Sequence, residues 1–381
     1  GLSPDTRYYY AVGSSSEVLA GADSDHFFVT HPLPGTPKPF RAWVLGDSGF
    51  GSLDQASVRD AYLGFAEGTH TNLWLHVGDV SQSLGTDPQY QVEFFDMYPT
   101  ILRQTVIWPS YGNHDAASAD SLTQSGPYYE NFTLPTLAEA GGVASGTESY
   151  YSFDYANVHF VVLDSTQGDR LVGGTMLTWL EADLTDTAQD WIIAFWHHPP
   201  YSKGSHDSDA EGQLWIMREN AVPIFEDHGV DLVLNGHSHS YERSYFIDGH
   251  YGYSSEFGFC DDNGTPGDAS DDFCAGSPST PCPGGVLDCD SGGFIVDAGD
   301  GSVGGGGAYE KPSLGPDPHH GAVFTVAGSG GEIRGGSLDH PAMIVSLNVL
   351  GSVILDIDGD RLDARFLDST GTVRDQFTIV K

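Results

Sequence analysis

Positive charge is scarce in this chain. Lys38, Lys203, Lys311 and Lys381 are its only lysines, and 15 Lys and Arg against 53 Asp and Glu leave a formal net charge of -38 over 381 residues. Such a balance repels phosphate backbones and anionic membrane surfaces unless a local positive site, such as a bound metal, intervenes, so nucleic-acid binding through a basic face is not expected. Long apolar runs are missing as well: none approaches the ~20 residues that a membrane helix needs, and no membrane partner is expected. Cysteine is confined to Cys260, Cys274, Cys282 and Cys289 in one Gly/Asp/Pro-rich stretch. Without a C-x-x-C pair a four-cysteine zinc site is the weaker reading. Two local disulfides, Cys260–Cys274 and Cys282–Cys289, are expected, and with them a secreted or periplasmic setting. The start at Gly-Leu-Ser with no visible signal peptide fits a processed or trimmed product.

What is present suffices for one large core or two modest ones, with 39% hydrophobic and 12% aromatic residues. Residues 1–38 hold two β-like runs, "TRYYYAVG" and "DHFFVTHP", with a Pro-rich connector after them, and read as the last strands of a β-sandwich or an edge addition to the rest of the chain. From residue 39 the pattern becomes β-α-β. "FRAWVLGD" and "TNLWLHVGD" read as buried strands around a helix that Ser52 would cap and that carries Val58, Tyr62 and Phe65 on one stripe. A helix is expected around "PQYQVEFFDMYPTILR", then strands at "TVIWPSYGNHD", "NVHFVVLD", "DWIIAFWHH" and "DLVLNGHSH", with helical stretches near Met176–Leu184 and Gly212–Asp227. A Cys/Gly/Asp-rich insertion spans 246–320, and the chain from Ala342 onward reads as a β-meander. The whole implies an α/β architecture with helices on the outer faces of a β core.

Five of these strands end in potential metal ligands: Asp47, Asp79, Asn113-His114-Asp115, His197-His198 and His237-Ser238-His239. One such end is ordinary turn chemistry; five point to one site at the C-terminal edge of the sheet. "VLGDSGFG" at 44–51 is ambiguous by itself. Ser48 reads as a nucleophile in esterase or protease fashion, the glycines as a phosphate loop, or Asp47 as a ligand. The dinucleotide reading fails because Asp54 stands where a third glycine belongs, and the protease reading wants its GDSG late in an all-β chain.

The ordered set GDSG, GDV, GNHD, HHPP and GHSH across 46–239 resembles the calcineurin-like metallophosphoesterases, and "GHSHSYERS" together with "TRYYYAVG" is similar to their purple acid phosphatase branch. The resemblance implies a helix-flanked β-sandwich of four layers (αββα) over 39–381, preceded over 1–38 by the end of a fibronectin-III-like domain and linker. It implies two metal ions, zinc, iron or manganese, and hydrolysis of phosphate monoesters, or of diesters or nucleotides, by attack of a metal-bound hydroxide. Asp79 would bridge the ions, Asp47 and His239 would hold the first, and Asn113, His197 and His237 the second. His114 and His206 would face the phosphate as proton donors, while His198 falls outside the family's His-x-Pro register. Where the branch carries its iron-binding tyrosine this chain has Gln82, at best a weak neutral ligand, and Gly49 removes the alternative Asp-x-His ligand of non-purple members.

Two rival functions stand beside this one. A GDSL-type esterase would use Ser48, Asn113 as oxyanion donor and an Asp317–His320 pair, but leaves Asp79, His197, His237 and His239 without roles. A metal-held binding module without turnover is the other. His319 and His320 read as loop histidines, and the acidic 261–272 segment, with Asp261, Asn263, Asp268, Asp271 and Asp272, is a candidate calcium loop or simply an exposed one.

Overall fold

Two seven-stranded sheets carry the molecule in a computed structural model that describes residues 1–257 and 293–381, together with the backbone of 260–261 and 273–274. Numbering only the sheet strands, the chain runs β1 Phe40–Leu45, β2 Leu73–His76, β3 Val106–Pro109, β4 Tyr151–Tyr155, β5 Val158–Val162, β6 Trp191–Trp196, β7 Leu232–Asn235, β8 Tyr241–Ser244, β9 Tyr309–Glu310, β10 Val323–Ala327, β11 Met343–Leu347, β12 Gly351–Asp358, β13 Arg361–Asp368 and β14 Val373–Val380. The first sheet has the order β9-β14-β13-β12-β1-β2-β3 and the second β11-β8-β10-β7-β6-β5-β4. In the first, β1, β2 and β3 are mutually parallel. In the second, β5, β6, β7 and β10 are.

Alternation along β6 shows how the layers form. Ile193 and Phe195 join the core shared with the first sheet, whereas Ile192, Ala194 and Trp196 face the other way, into a second cluster with Met176, Leu180, Met217 and Phe225 of the helices Thr175–Asp186, Gly212–Asn220 and Val222–Asp227. A strand buried on both faces needs no polar alternation, which is why β6 reads as a continuous apolar run. Rings from the two sheets meet face to face, Trp108 on Phe153 at 3.9 Å and Tyr241 on Phe366 at 4.0 Å. On the outer face of the first sheet Trp43 stacks on Tyr62 of the helix Leu53–Phe65 at 4.3 Å. That helix starts where Ser52 accepts a hydrogen bond from the Gln55 amide, as its N-cap position predicts. Helix, sheet, sheet and helix make the four layers.

Several expectations need correction. The helix expected over 88–103 is broken into Asp87–Gln89, a π-helical stretch Tyr90–Phe95 and Pro99–Leu102, with Pro99 opening the last piece. Gly212–Asp227 is two helices, the second carrying Pro223 in its first turn. Strands β4 and β10 form where none was expected, and β11 leaves the anticipated meander to pair with β8 in the other sheet. Only β12, β13 and β14 form the meander, because alternation marks a strand without saying which sheet it joins. The 246–320 stretch also contributes structure, a short Phe246–Ile247 and Ile295–Asp297 pairing and the edge strand β9.

At the N-terminus Arg7–Tyr9 pairs with Phe27–Val29 and Ala11–Gly13 with Val18–Gly21. Tyr10 ties this ladder to the larger body by donating its hydroxyl to the Arg103 carbonyl at 2.9 Å. Backbone register sets Cys260 opposite Cys274. The side chains of both, the expected Cys282–Cys289 link and the 262–272 part of the acidic segment lie outside the described residues.

Candidate metal centre

The loops that leave β1, β2 and β3 in one sheet and β6 and β7 in the other all open at the same edge, so the motif residues meet there. Asp47, Asp79 and His237 each come directly after a glycine and adopt left-handed φ values of 52°, 54° and 66°. Left-handed backbone is uncommon outside glycine, although Asp, Asn and His tolerate it best, and it turns these side chains back over the strand ends. Gly112 shows how tightly the loops close: a Cβ there would sit 2.1 Å from Asp79 Oδ1 and 2.2 Å from the Asp79 amide nitrogen. Gly49 is held in the same way against the Val80–Ser81 backbone, where a Cβ would meet the Val80 carbonyl at 2.3 Å, so no side chain can occupy that position.

Asp47, Asp79 and His197, all fully buried or nearly so, bring one donor atom each to within 4.8 Å of one another. His197 Nδ1 lies 3.0 Å from the Val77 carbonyl, the hydrogen bond that fixes its tautomer. With that proton committed, Nε2 presents a lone pair to Asn113 Oδ1 at 3.0 Å and to Asp79 Oδ2 at 3.3 Å. Three lone pairs converging in this way require a cation or a proton between them. Burial opposes charging His197, but the Asp79 and Asp47 carboxylates overcome it and raise the imidazolium to about 9. Asp47 Oδ1 is buried without a hydrogen-bond partner, 3.6 Å from His239 Nε2. Burial pushes the Asp47 carboxyl well above its usual range, with His197 opposing and Asp79 adding to the rise. Burial likewise lowers His237 and His239 to about 4, which keeps both rings neutral and able to donate lone pairs. An orphaned buried carboxylate oxygen beside neutral imidazoles belongs to the donor set of a divalent-cation site, and these residues fit one.

A second cluster adjoins the first. His206 Nδ1 meets Glu211 Oε1 at 2.7 Å, His237 Nε2 meets Glu211 Oε2 at 3.1 Å, and the His206 and His237 rings lie 3.8 Å apart. Burial works against ionising Glu211, yet the two histidines lower its carboxyl to about 2. His237 is therefore close to the His197 ring, at 5.0 Å, while its Nε2 is turned toward Glu211. His114 receives its place from a backbone bond, N to Asp79 Oδ1 at 2.8 Å, and its Nδ1 lies 3.0 Å from the Ser83 carbonyl. Gln82 is buried with Nε2 3.5 Å from Asp79 Oδ2. His198 packs its ring 4.3 Å from that of His237, with its Nδ1 on Ser165 Oγ at 2.9 Å.

Sequence reasoning missed Glu211, and it named Asp115 only as a potential ligand or turn residue of the GNHD cluster. Glu211 lies in "DAEG", five residues past His206, with no motif to mark it. Asp115 lies inside GNHD, and its role is structural: it accepts hydrogen bonds from the Tyr90 hydroxyl at 2.6 Å and from the amides of Gly112, Ser81 and Val80 at 3.1 to 3.3 Å, lashing two motif loops together. Ser48 is fully buried with Oγ 2.9 Å from His76 Nε2, while His320 stands by Asp317 on the segment that enters β10. The esterase triad is therefore not assembled.

A model of the family described as calcineurin-like phosphoesterase matches residues 40–241, just over half of the chain. The chain is 30% identical over 271 residues to purple acid phosphatase 23 of Arabidopsis thaliana, covering 64% of this chain and 56% of that one. It is 30% identical over 254 residues to purple acid phosphatase 1 of Ipomoea batatas, with 64% and 50% covered. The chain thus spans about half the length of these curated relatives. Among solved structures, a purple acid phosphatase from yellow lupin seeds superposes with a TM-score of 0.67 at 19% identity over 100% of this chain and 60% of that one, a likeness of fold. The chain belongs to the calcineurin-like phosphoesterase family, and within it is similar to purple acid phosphatases.

Proposed function

We propose that the protein hydrolyses phosphate monoesters with the help of two divalent or trivalent cations held where the five strand-end loops meet. The observation that carries this reading is the convergence of Asp47, Asp79, Asn113 and His197, with an unpartnered Asp47 oxygen facing His239. Asp47, Asp79 and His239 would hold one ion and Asp79, Asn113, His197 and His237 the other, and the bound pair would supply Lewis-acid charge and an activated water.

The chain's own residues do the rest. Asp115 and Gly112 keep the Asp79 loop in register, and the Val77 carbonyl aims His197. The leaving oxygen needs a proton, and His206 and His114 would be its donors. Glu211 holds Nδ1 of the first and the Ser83 carbonyl Nδ1 of the second, which leaves Nε2 of each ring for that transfer. Gln82 replaces an anionic ligand by a neutral amide, which supports zinc or manganese alongside iron in the first site. The small phosphorylated substrate matches a family site rather than a basic surface. The backbone register that sets Cys260 opposite Cys274 is in keeping with an oxidising, exported setting, and no helix among the described residues is long and apolar enough to cross a membrane.

The test is turnover of an aryl phosphate before and after stripping with a chelator. Activity lost on stripping, restored by Zn²⁺ or Mn²⁺ and unaffected by Ser48→Ala supports the reading. Chelator-resistant esterase activity would overturn it, and a metal-loaded protein without turnover would favour the binding module.

A further inference from the structure

At the other end of β7 and β10 lies a separate cluster that the phosphoesterase centre does not use. Glu226 and Asp227 close the helix that leads into β7, Asp248 comes directly after the short strand Phe246–Ile247, and His319 precedes β10. His237 stands at the far end of β7, so roughly 13 Å of strand separates the two places, at ~3.3 Å per residue. Glu226, Asp248 and His319 each offer a donor atom, and the three lie within 4.8 Å of one another.

We propose that Glu226, Asp248 and His319 form a further divalent-cation site, suited to a zinc-class ion through two carboxylates and one imidazole, that clips both ends of the 249–318 segment to the helix end.

The hydrogen bonds of the cluster leave one oxygen of each carboxylate ligand without a partner. Glu226 is 4% exposed, and its Oε2 accepts from the Gly249 amide at 3.0 Å and from the Tyr251 hydroxyl, while Oε1 is buried with no partner. Asp248 Oδ1 is buried with no partner either. His319 Nδ1 lies 3.3 Å from Asp248 Oδ2, the separation of two donors that each sit ~2.0–2.1 Å from a tetrahedral ion. Its Nε2 lies 3.0 Å from Asp227 Oδ1. That is the outer carboxylate by which a ligating histidine is oriented, its remaining N–H held and its free nitrogen turned to the ion.

A salt bridge alone explains less. An imidazolium between Asp227 and Asp248 uses both ring nitrogens, yet leaves the Glu226 and Asp248 oxygens buried and unpaired. Asp248 and His319 are 71 residues apart in sequence, so one ion closes a long loop at a single point.

The full-length protein, stripped with a chelator and reloaded with Zn²⁺ alone, is compared with His319→Gln by metal analysis after desalting and by thermal unfolding. The His319 side chain is 52% exposed, so its replacement leaves the core untouched, and circular dichroism verifies the fold. The wild type is expected to retain one zinc equivalent more than His319→Gln, and the variant to lose part of the zinc-induced rise in Tm. Asp248→Asn should lose the same equivalent. Asp227→Ala, which keeps all three ligands, should weaken the additional zinc by ~10–100-fold. Equal zinc content and equal zinc-induced stabilisation in the wild type, His319→Gln and Asp248→Asn would overturn the proposal, whatever the phosphoesterase centre does.

Discussion

Replacing Gly112 by alanine puts one methyl group against the most constrained residue of the centre. The new Cβ would lie 2.1 Å from Asp79 Oδ1 and 2.2 Å from the Asp79 amide nitrogen. Ordinary contact between such atoms needs ~3.5 Å, so the Asp79 loop or the Gly112 loop must retreat by on the order of 1 Å. Side-chain rotation cannot relieve it, because the backbone nitrogen is as close as the carboxylate. The retreat pulls at two bonds that hold the loops, Asp79 Oδ1 from the His114 amide at 2.8 Å and Asp115 Oδ2 from the Gly112 amide at 3.1 Å. A displacement of ~1 Å at a catalytic group costs about 10²-fold in rate, and overpacking costs ~1–3 kcal/mol of stability. The assay is kcat on nitrophenyl phosphate together with a denaturant midpoint. Gly64→Ala is the control: that glycine lies in the helix Leu53–Phe65 with nothing within 4 Å of the new Cβ, and should gain ~0.5–1 kcal/mol without loss of rate. A Gly112→Ala protein with kcat within twofold of the parent would refute the claim that this close approach sets the position of Asp79.

Other contacts carry three further expected outcomes. His206→Ala should slow alkyl phosphates far more than nitrophenyl phosphate, whose leaving group departs without a proton; equal losses on both would remove His206 from proton delivery. With Gln82 where the branch has tyrosine, an iron-loaded sample should show no intense visible charge-transfer band, and a purple protein would mean that another tyrosine reaches the metal. The buried His159 bonds Asp154 Oδ1 at 2.8 Å and Asp183 Oδ2 at 2.9 Å; burial opposes its charge, but the two carboxylates raise it to about 9. Its stabilising contribution, on the order of 2–3 kcal/mol, is thus complete below an unfolded pKa near 6.5 and is lost as pH rises through 9. Urea unfolding from pH 6 to 10 should decline more steeply for the wild type than for His159→Gln, and parallel curves would show that the imidazolium contributes nothing.

Much of the centre was legible because its residues sit where local rules are strongest. A buried apolar strand ending in Gly and then Asp, Asn or His is a short-range pattern, and it repeats at Asp47, Asp79, Asn113, His197 and His237 with small variation. The fold class was legible in the same strands. The parts that stayed hidden depend on contacts distant in sequence. Nothing near β11 tells that it crosses to pair with β8, while its neighbours β12 to β14 stay in the first sheet. Glu211 becomes part of the site only when its loop folds over His237, 26 residues away. Asp115 read as a ligand candidate or an Asx turn, yet the folded loops use it as an acceptor for amides on both sides. Ser48 illustrates the reverse, since a nucleophile-like string is silenced by burial against His76.

Whether two cations share Asp79 is decided by metal analysis of Asp79→Ala beside the parent protein. Both proteins are loaded with the same excess of Zn²⁺ or Mn²⁺, desalted, and measured for bound metal and for nitrophenyl phosphate hydrolysis, with circular dichroism to verify the fold. The expected result is a folded variant that has lost two metal equivalents together and has lost activity. A folded Asp79→Ala protein that keeps both equivalents, or that loses both and still hydrolyses the substrate at the parent rate, would contradict it.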